Sequence, residues 1–407
     1  MRADLISLAF LFAAATQLAA QHSGARAPRR PTLPAETDTC DASVYYQYGL
    51  AHLDRDPQVA AAAFYWTQRL SPNSALAYYA ERIALLMVDP YVLRRYVEGD
   101  RSDLQSKDVR RIDSLEVRAM ALDPFFPQRL DEDLIVAYYR DRVRDELRQG
   151  GELTPSEPAI DAYVRRELQG SAPETRAWLA FARGYYREAA DFWAGEARRD
   201  RKNTELRAER AQALFLMGEL DSARAELDSA LATARRSDAQ KMKYVYNSKA
   251  VWEYELGRIH ELQGHDSLAR DAYQQALVED LSYHPAHVRL AYVALRTRDT
   301  ATAVTELERA IEVRDIDFTA RLLLGTLHAA RHAFGPATEQ LRRAAEIEPW
   351  VADPHLVLGD VRRDAGDQEG AAAEYRRFLA LASQSDPNVG PARQRLAGLS
   401  APSPQRN

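Results

Sequence analysis

From Val44 to about Leu399 the apolar residues recur at helical spacing, and no sustained alternation of β-branched residues interrupts them. That periodicity predicts an all-helical chain. Tyr273 and Leu277, four apart, fall on one face of a helix and form part of its apolar stripe. The pattern also recurs on a longer scale. Gly257, Ala291, Gly325 and Gly359 are each 34 residues apart, and so are Ala269, Ala303, Ala337 and Ala371. Tyr273, Leu307, Leu341 and Tyr375 follow in the same phase, as do Leu277, Ile311, Ala345 and Leu379. A fixed period in this range marks stacked supersecondary units, a solenoid whose repeats pack on their neighbours.

The residue types have a physical reading. Two helices approach closely only where side chains are small, so Gly257 and Ala269 mark the contact seam inside a unit. Tyr273 and Leu277 fill the space between units, and Pro349, which has no N–H to donate, stops a helix from continuing. Residues 250–281, 284–315, 318–349 and 352–382 share this order of large, small, small, large and Ala positions. It resembles the tetratricopeptide repeat family. The resemblance implies an all-α, right-handed α-solenoid of stacked helix-turn-helix units. Residues 204–235 match well, through Ala211, Gly218, Ala223, Leu227 and Leu231, before an extension at about 234–246 that holds Lys241 and Lys243. The units nearer the N-terminus are degenerate. Residues 175–200 keep Gly184, Ala189 and Trp193; residues 45–72 keep Tyr48, Gly49, Ala60, Phe64 and Pro72; residues 112–124 end as a unit ends, in Asp123 and Pro124. Residues 131–170 read as two helices, the second starting at a capping box from Thr154 to Glu157.

In that family the first helix of each unit lines a concave groove where a segment of a partner protein docks. Carried over by position, the resemblance places the groove at Tyr254, Arg258 and Glu261, then Val288, Tyr292 and Leu295, then Leu322, Thr326 and Ala329, then Leu356, Asp360 and Arg363. This mixture of aromatic, aliphatic and charged groups suits a partly apolar protein or peptide segment. The Lys and Asn with which one subgroup captures a C-terminal carboxylate are missing, which disfavours chaperone-tail binding.

The ends of the chain read differently. Arg2, an apolar run from Leu5 to Ala15 and small residues up to Ala20 are expected to form a signal peptide over 1–20. Export to a bacterial periplasm follows as an expectation, without a lipid anchor because no cysteine directly follows the run. Residues 21–40 read as a disordered linker, 41–170 as a degenerate helical region, 171–400 as the repeat array with a short cap, and 401–407 as a disordered tail. The single cysteine, Cys40, rules out an intrachain disulfide.

Composition narrows the function classes. The net charge of −6 lacks the basic footprint of nucleic-acid binding. No phosphate-cradling loop or nucleophile elbow occurs, so no cofactor or catalytic residue is expected. His328 and His332 are four apart, a spacing that could serve one metal, but they fall at a core-facing and a turn position of the repeat. Trp66, Trp178, Trp193, Trp252 and Trp350 read as packing residues. The expectation is a non-enzymatic scaffold binding a protein or peptide in the cell envelope. Its alternatives are an accessory or regulatory subunit acting through region 41–170 and a self-assembling, homo-oligomeric solenoid.

Overall fold

A computed structural model describes residues 27–98, 107–149, 156–240 and 248–400. The expected signal peptide, the C-terminal tail, Lys241, Lys243 and Thr154 lie outside the described residues. Within them every regular element is an α-helix and no strand occurs. The chain begins with α1 (Ala42–His52) and α2 (Pro57–Leu70). Next come α3 (Ala75–Val88), α4 (Pro90–Val97), α5 (Lys107–Leu122), α6 (Asp131–Gln149) and α7 (Glu157–Gln169). Three hairpins follow: α8 (Pro173–Ala182) with α9 (Tyr186–Arg199), α10 (Glu205–Leu216) with α11 (Leu220–Gln240), and α12 (Ala250–Leu262) with α13 (Asp266–Glu279). Three more are α14 (His284–Arg296) with α15 (Thr300–Val313), α16 (Phe318–Ala330) with α17 (Phe334–Ile347), and α18 (Asp353–Asp364) with α19 (Gln368–Leu381). Helix α20 (Val389–Ser400) packs on α19.

These elements divide into two compact units. One contains residues 51–61 and 75–281; the other contains residues 62–74 and 282–400 together with the described residues up to Leu50. The boundary expected near residue 171 falls inside the first unit.

The hairpin seams follow the repeat. A Cβ added at Gly257 would lie 2.4 Å from the Tyr273 ring, one at Gly325 2.6 Å from Leu341, and one at Gly359 2.5 Å from Tyr375. Gly49 meets Phe64 at 2.5 Å in the same way, so the degenerate hairpin α1–α2 keeps the seam. Glycine is needed here for space, because the partner helix occupies the place of a side chain. Each inter-helix turn instead needs a left-handed residue. Gly184, Gly218, Gly264 and Gly366 supply it with φ of 84°, 78°, 76° and 86°, while Arg298 and His332 occupy the same register at 61° and 56°. In each case the next residue donates its N–H to a carbonyl five residues back, as His265 does to His260 and Asp299 to Ala294, which closes the end of the first helix.

The repeat also carries a polar register that the apolar pattern did not announce, seen in the first unit as Arg207 donating to Glu226 at 2.9 Å and in every repeat hairpin from α14 to α19 of the second. His287 Nδ1 lies 2.7 Å from Glu306, Arg321 donates to Gln340 at 2.7 Å, and His355 Nδ1 lies 2.7 Å from Glu374. Positions 287, 321 and 355 are again 34 apart, so one polar bridge ties the two helices of each of these three hairpins.

Residues 27–41, expected to belong to a disordered linker, are instead held in the second unit. Trp66 Nε1 donates to the Pro28 carbonyl at 3.1 Å, and Asp38 accepts from Ser383 Oγ and the Gln384 N–H at 2.8 and 2.7 Å. The Arg30 guanidinium sits 5.0 Å from the ring of Tyr45, 4.9 Å from Trp66 and 5.8 Å from Trp350, and donates to Tyr45 Oη at 2.7 Å. A Pro- and Arg-rich composition reads as solvated, but an arginine enclosed by three aromatic faces gains cation–π attraction that composition does not reveal. Cys40 lies at the end of this segment with its Sγ 3.8 Å from the Ala380 carbonyl, and burial raises its thiol pKa.

A candidate binding cavity in the first unit

The first unit encloses a cavity of about 880 Å³. Its walls are helix faces. Helix α6 contributes Asp131, Leu134, Ile135, Tyr138, Tyr139 and Arg142, which recur at i, i+3, i+4, i+7, i+8 and i+11 along one stripe. Helix α10 contributes Glu205, Ala208, Glu209 and Gln212, and α12 contributes Val251, Trp252 and Glu255. Tyr79 and Arg82 come from α3, Tyr96 from α4, Trp178 from α8 and Ala234 from α11. The result is an aromatic chamber of four tyrosines and two tryptophans with charged groups set among them.

Most of those charges are already engaged. Arg82 pairs with Glu116 at 3.2 Å and lies 5.4 Å from the Tyr96 ring. Lys249 pairs with Asp238 at 2.7 Å and Glu279 at 3.5 Å, and Arg142 with Glu146 at 2.9 Å. The Tyr79 hydroxyl donates to Asp131, and the Tyr138 hydroxyl to Glu98 at 3.1 Å. Glu209 and Glu255 stand apart: neither carboxyl has a hydrogen-bond or ion-pair partner among the described residues, and Glu255 is only 7% exposed. Burial, with Glu205 adding to it, pushes the Glu209 carboxyl up to about 8; burial, with Asp123 adding to it, pushes Glu255 up to about 8. Asp131 is raised to about 6 by burial, against the bond from Tyr79. Withdrawal from water disfavours the charged form of an acid, so these groups keep their protons to unusually high pH.

The expected groove residues are not gathered into one surface. Tyr254 is 1% exposed, packs on Tyr273 with ring centroids 5.5 Å apart, and donates to the Ala121 carbonyl at 3.4 Å. Glu261 is buried and accepts from the Tyr273 hydroxyl at 2.6 Å, while Arg258 reaches Asp123 at 3.8 Å. The reason is an added layer. The segment after α5, through Asp123 and Phe125, lies over the first helices of these hairpins, and the Phe125 ring stacks on Phe215 at 3.7 Å. Tyr254 is therefore a core residue and not part of an open wall.

In the second unit Val288 and Leu295 pack beside the core of their hairpin, and Leu322 beside that of the next. Tyr292 lies under Arg289 at 5.1 Å, Ala329 is half-buried, and Thr326 is exposed with its hydroxyl turned back to the Leu322 carbonyl at 2.8 Å. Leu356 packs beside Ala352 and Phe378. Asp360 accepts from Tyr375 at 2.7 Å and pairs with Arg395 of α20 at 3.0 Å and with Arg363 at 3.1 Å.

Among the tryptophans, Trp193 and Trp66 are buried as expected, whereas Trp178 and Trp252 line the cavity and Trp350 is 38% exposed. His332 is exposed at its turn, 5.8 Å from the Phe334 ring, and no cluster of metal-ligating side chains occurs among the described residues. No described helix is long and apolar enough to cross a membrane.

No family model matches the chain. Among solved structures, a TPR protein called YrrB, described as having an unusual peptide-binding site, is 21% identical; the match covers 51% of this chain and 100% of that one at a TM-score of 0.41. The MamA protein is 17% identical over 44% of this chain and 90% of its own, with a TM-score of 0.38. The C-terminal part of a TPR repeat-containing protein from Cytophaga hutchinsonii is 17% identical over 51% and 78%, with a TM-score of 0.43. Likenesses at this level say nothing of ligand or partner. The 34-residue register, the glycine-to-ring seams and the left-handed turns show stacked helix-turn-helix hairpins, similar in fold to those of tetratricopeptide-repeat proteins.

Proposed function

We propose that this protein is a non-enzymatic scaffold that captures a segment of a partner protein, and that the capture site is the cavity of the first unit. The observation that carries this reading is an aromatic chamber of about 880 Å³ in which the carboxyls of Glu205, Glu209 and Glu255 have no partner among the described residues. A volume of this order is that of a binding pocket, and buried polar groups left unpaired inside a folded protein call for a ligand that pairs them. The groove positions of the second unit are the alternative site, supported by the half-buried aliphatic side chains of Val288, Leu295, Leu322 and Leu356. The proposed setting is the bacterial envelope, supported by Arg2 and the apolar run from Leu5 to Ala15. Sequencing the N-terminus of the chain recovered from its host checks it: a start at residue 1 removes the export proposal.

Selection of a displayed random-peptide library on the full chain tests the capture site. Peptides enriched on the wild type should lose binding to Trp178→Ala/Trp252→Ala and keep it with Thr326→Arg/Leu356→Ala. The opposite result moves the site to the groove of the second unit. No enrichment at all removes the scaffold reading.

A further inference from the structure

The charges lining the cavity do not balance. Of the cations, Arg82, Arg142 and Lys249 are each committed to a carboxylate of the protein, and Lys202 is exposed. Of the acids, Glu98, Glu116, Asp131 and Asp238 each have a donor, while Glu209 and Glu255 have none among the described residues. Among the described lining residues the buried cations are thus engaged, and the carboxyls of Glu209, Glu255 and the exposed Glu205 remain without a donor. Around them stand rings whose faces carry negative potential, Trp178 and Trp252 with Tyr138 and Tyr139. Aromatic faces and unpaired carboxyls favour the same ligand chemistry, a cationic head on an apolar stem.

We infer that the cavity recognises a cationic side chain, the ammonium or guanidinium of a lysine or arginine presented by the partner segment, whose head is paired by the unpartnered carboxyls of the lining and whose stem lies among its aromatic side chains. This rests on the scaffold reading for the source of the cation but not for its chemistry. Two observations beyond the acidic cluster support it. Glu255 is more than nine-tenths buried yet lines the chamber, so it faces the cavity and not bulk water. Burial also raises the pKa of both carboxyls to about 8, so a cation placed beside either one would favour its charged form. An arriving cation would restore their ionisation and supply the donors they lack. A purely apolar ligand would leave both acids unpaired and is rejected on the same grounds.

The test is calorimetric titration of the full chain with blocked pentapeptides, alanine throughout except for a central lysine, arginine or norleucine. Norleucine keeps the apolar stem and lacks the charge. The lysine and arginine peptides should bind about tenfold or more tighter than the norleucine peptide. That preference should collapse in Glu209→Gln/Glu255→Gln, with thermal melts confirming that the variant is folded. Glu209→Gln alone, at the more accessible of the two positions, serves if the double variant does not fold. Equal binding of lysine and norleucine peptides, or a preference that survives the glutamine substitutions, overturns the inference. So does a failure of every probe to bind at about 10 mM. A separate arm uses n-butylammonium. If it binds as tightly as the lysine peptide and with the same dependence on the two carboxyls, the cation site stands and the capture of a protein segment falls.

Discussion

The same hairpin is put to two uses in this molecule. In the second unit α14 to α19 stack in order, each pair tied by one seam and one polar bridge, and the first helix of each pair keeps half-exposed side chains. In the first unit α10 to α13 carry the same seams and turns, but residues 121–125 cover their inner face and α3 to α6 help to close a chamber. A repeat fixes how two helices meet. What lies on the exposed side of a repeat is decided by segments outside the repeat, and there an open wall can become a core.

Four experiments break or sharpen that comparison, ordered by expected size. Gly257→Ala places a methyl 2.4 Å from the Tyr273 ring, which Glu261 holds by its hydroxyl, whereas Gly325→Ala meets the more adaptable Leu341. Denaturant unfolding should show a loss of about 3 kcal/mol for the first and about 1.5 kcal/mol for the second. Equal losses would mean that the bond between Tyr273 and Glu261 adds no rigidity to the seam of the first unit.

The next effect is confined to the first unit. Glu209 and Glu255 hold their protons to about pH 8 when folded, against 4.5 ordinarily. Between those values the folded state binds more protons than the unfolded one, so stability is greatest near pH 5 and falls as pH rises toward 8. Asp131, on α6, and Glu205, beside Glu209, shift in the same direction. Stability should therefore fall between pH 5 and 8.5, and Glu209→Gln/Glu255→Gln should flatten most of that fall. A flat wild-type profile would show that the chamber leaves these carboxyls in bulk water.

In the second unit, Arg30→Ala removes the cation enclosed by Tyr45, Trp66 and Trp350 and should lower stability by about 1 kcal/mol. An unchanged melting curve would show that residues 27–41 contribute nothing to the unit. The smallest effect is a gain. Arg298 occupies a left-handed turn where neighbouring repeats use glycine, so Arg298→Gly should stabilise by about 0.5 kcal/mol. A loss there would mean that the arginine side chain makes a contact worth more than its backbone strain.

The fold was largely legible because its signal is redundant. Four small residues at one spacing located the seams, and Gly264 and Gly366 marked the turns. Even Gly49 and Phe64, in a unit one residue short at its turn, met as the pattern required. The polar bridges at 287, 321 and 355 carried the same period but were masked by the change from histidine to arginine and back. The cavity was not legible. Its stripes on α6 and α10 are helical stripes like any other, and a row such as Leu134, Ile135, Tyr138 and Tyr139 reads equally well as packing surface. Glu209 and Glu255 are 46 positions apart, as are the turn glycines Gly218 and Gly264, so they hold equivalent places on α10 and α12, but the extension between those hairpins breaks the 34-residue spacing and hides the match. Tyr254 failed as a groove residue for a related reason: the chain that covers it, near Ala121, lies 133 residues earlier.

The contacts of the amino-terminal residues with the last hairpins also bear on how this chain is made. Arg69 pairs with Glu348 at 3.0 Å, Trp66 meets Trp350 with ring centroids 5.1 Å apart, and Asp38 binds Ser383 across 345 positions. On the ribosome, α1 and α2 emerge first and find these partners last. A chain stalled near residue 340 leaves Trp66 without Trp350, with Pro28 and Arg30 already made to contact it. The local hairpins can close as they emerge, whereas this contact pays the full loop-closure entropy and sets the slow step. The first helices made are thus the last to be buried, and a chaperone acting on this protein would be needed longest at its beginning.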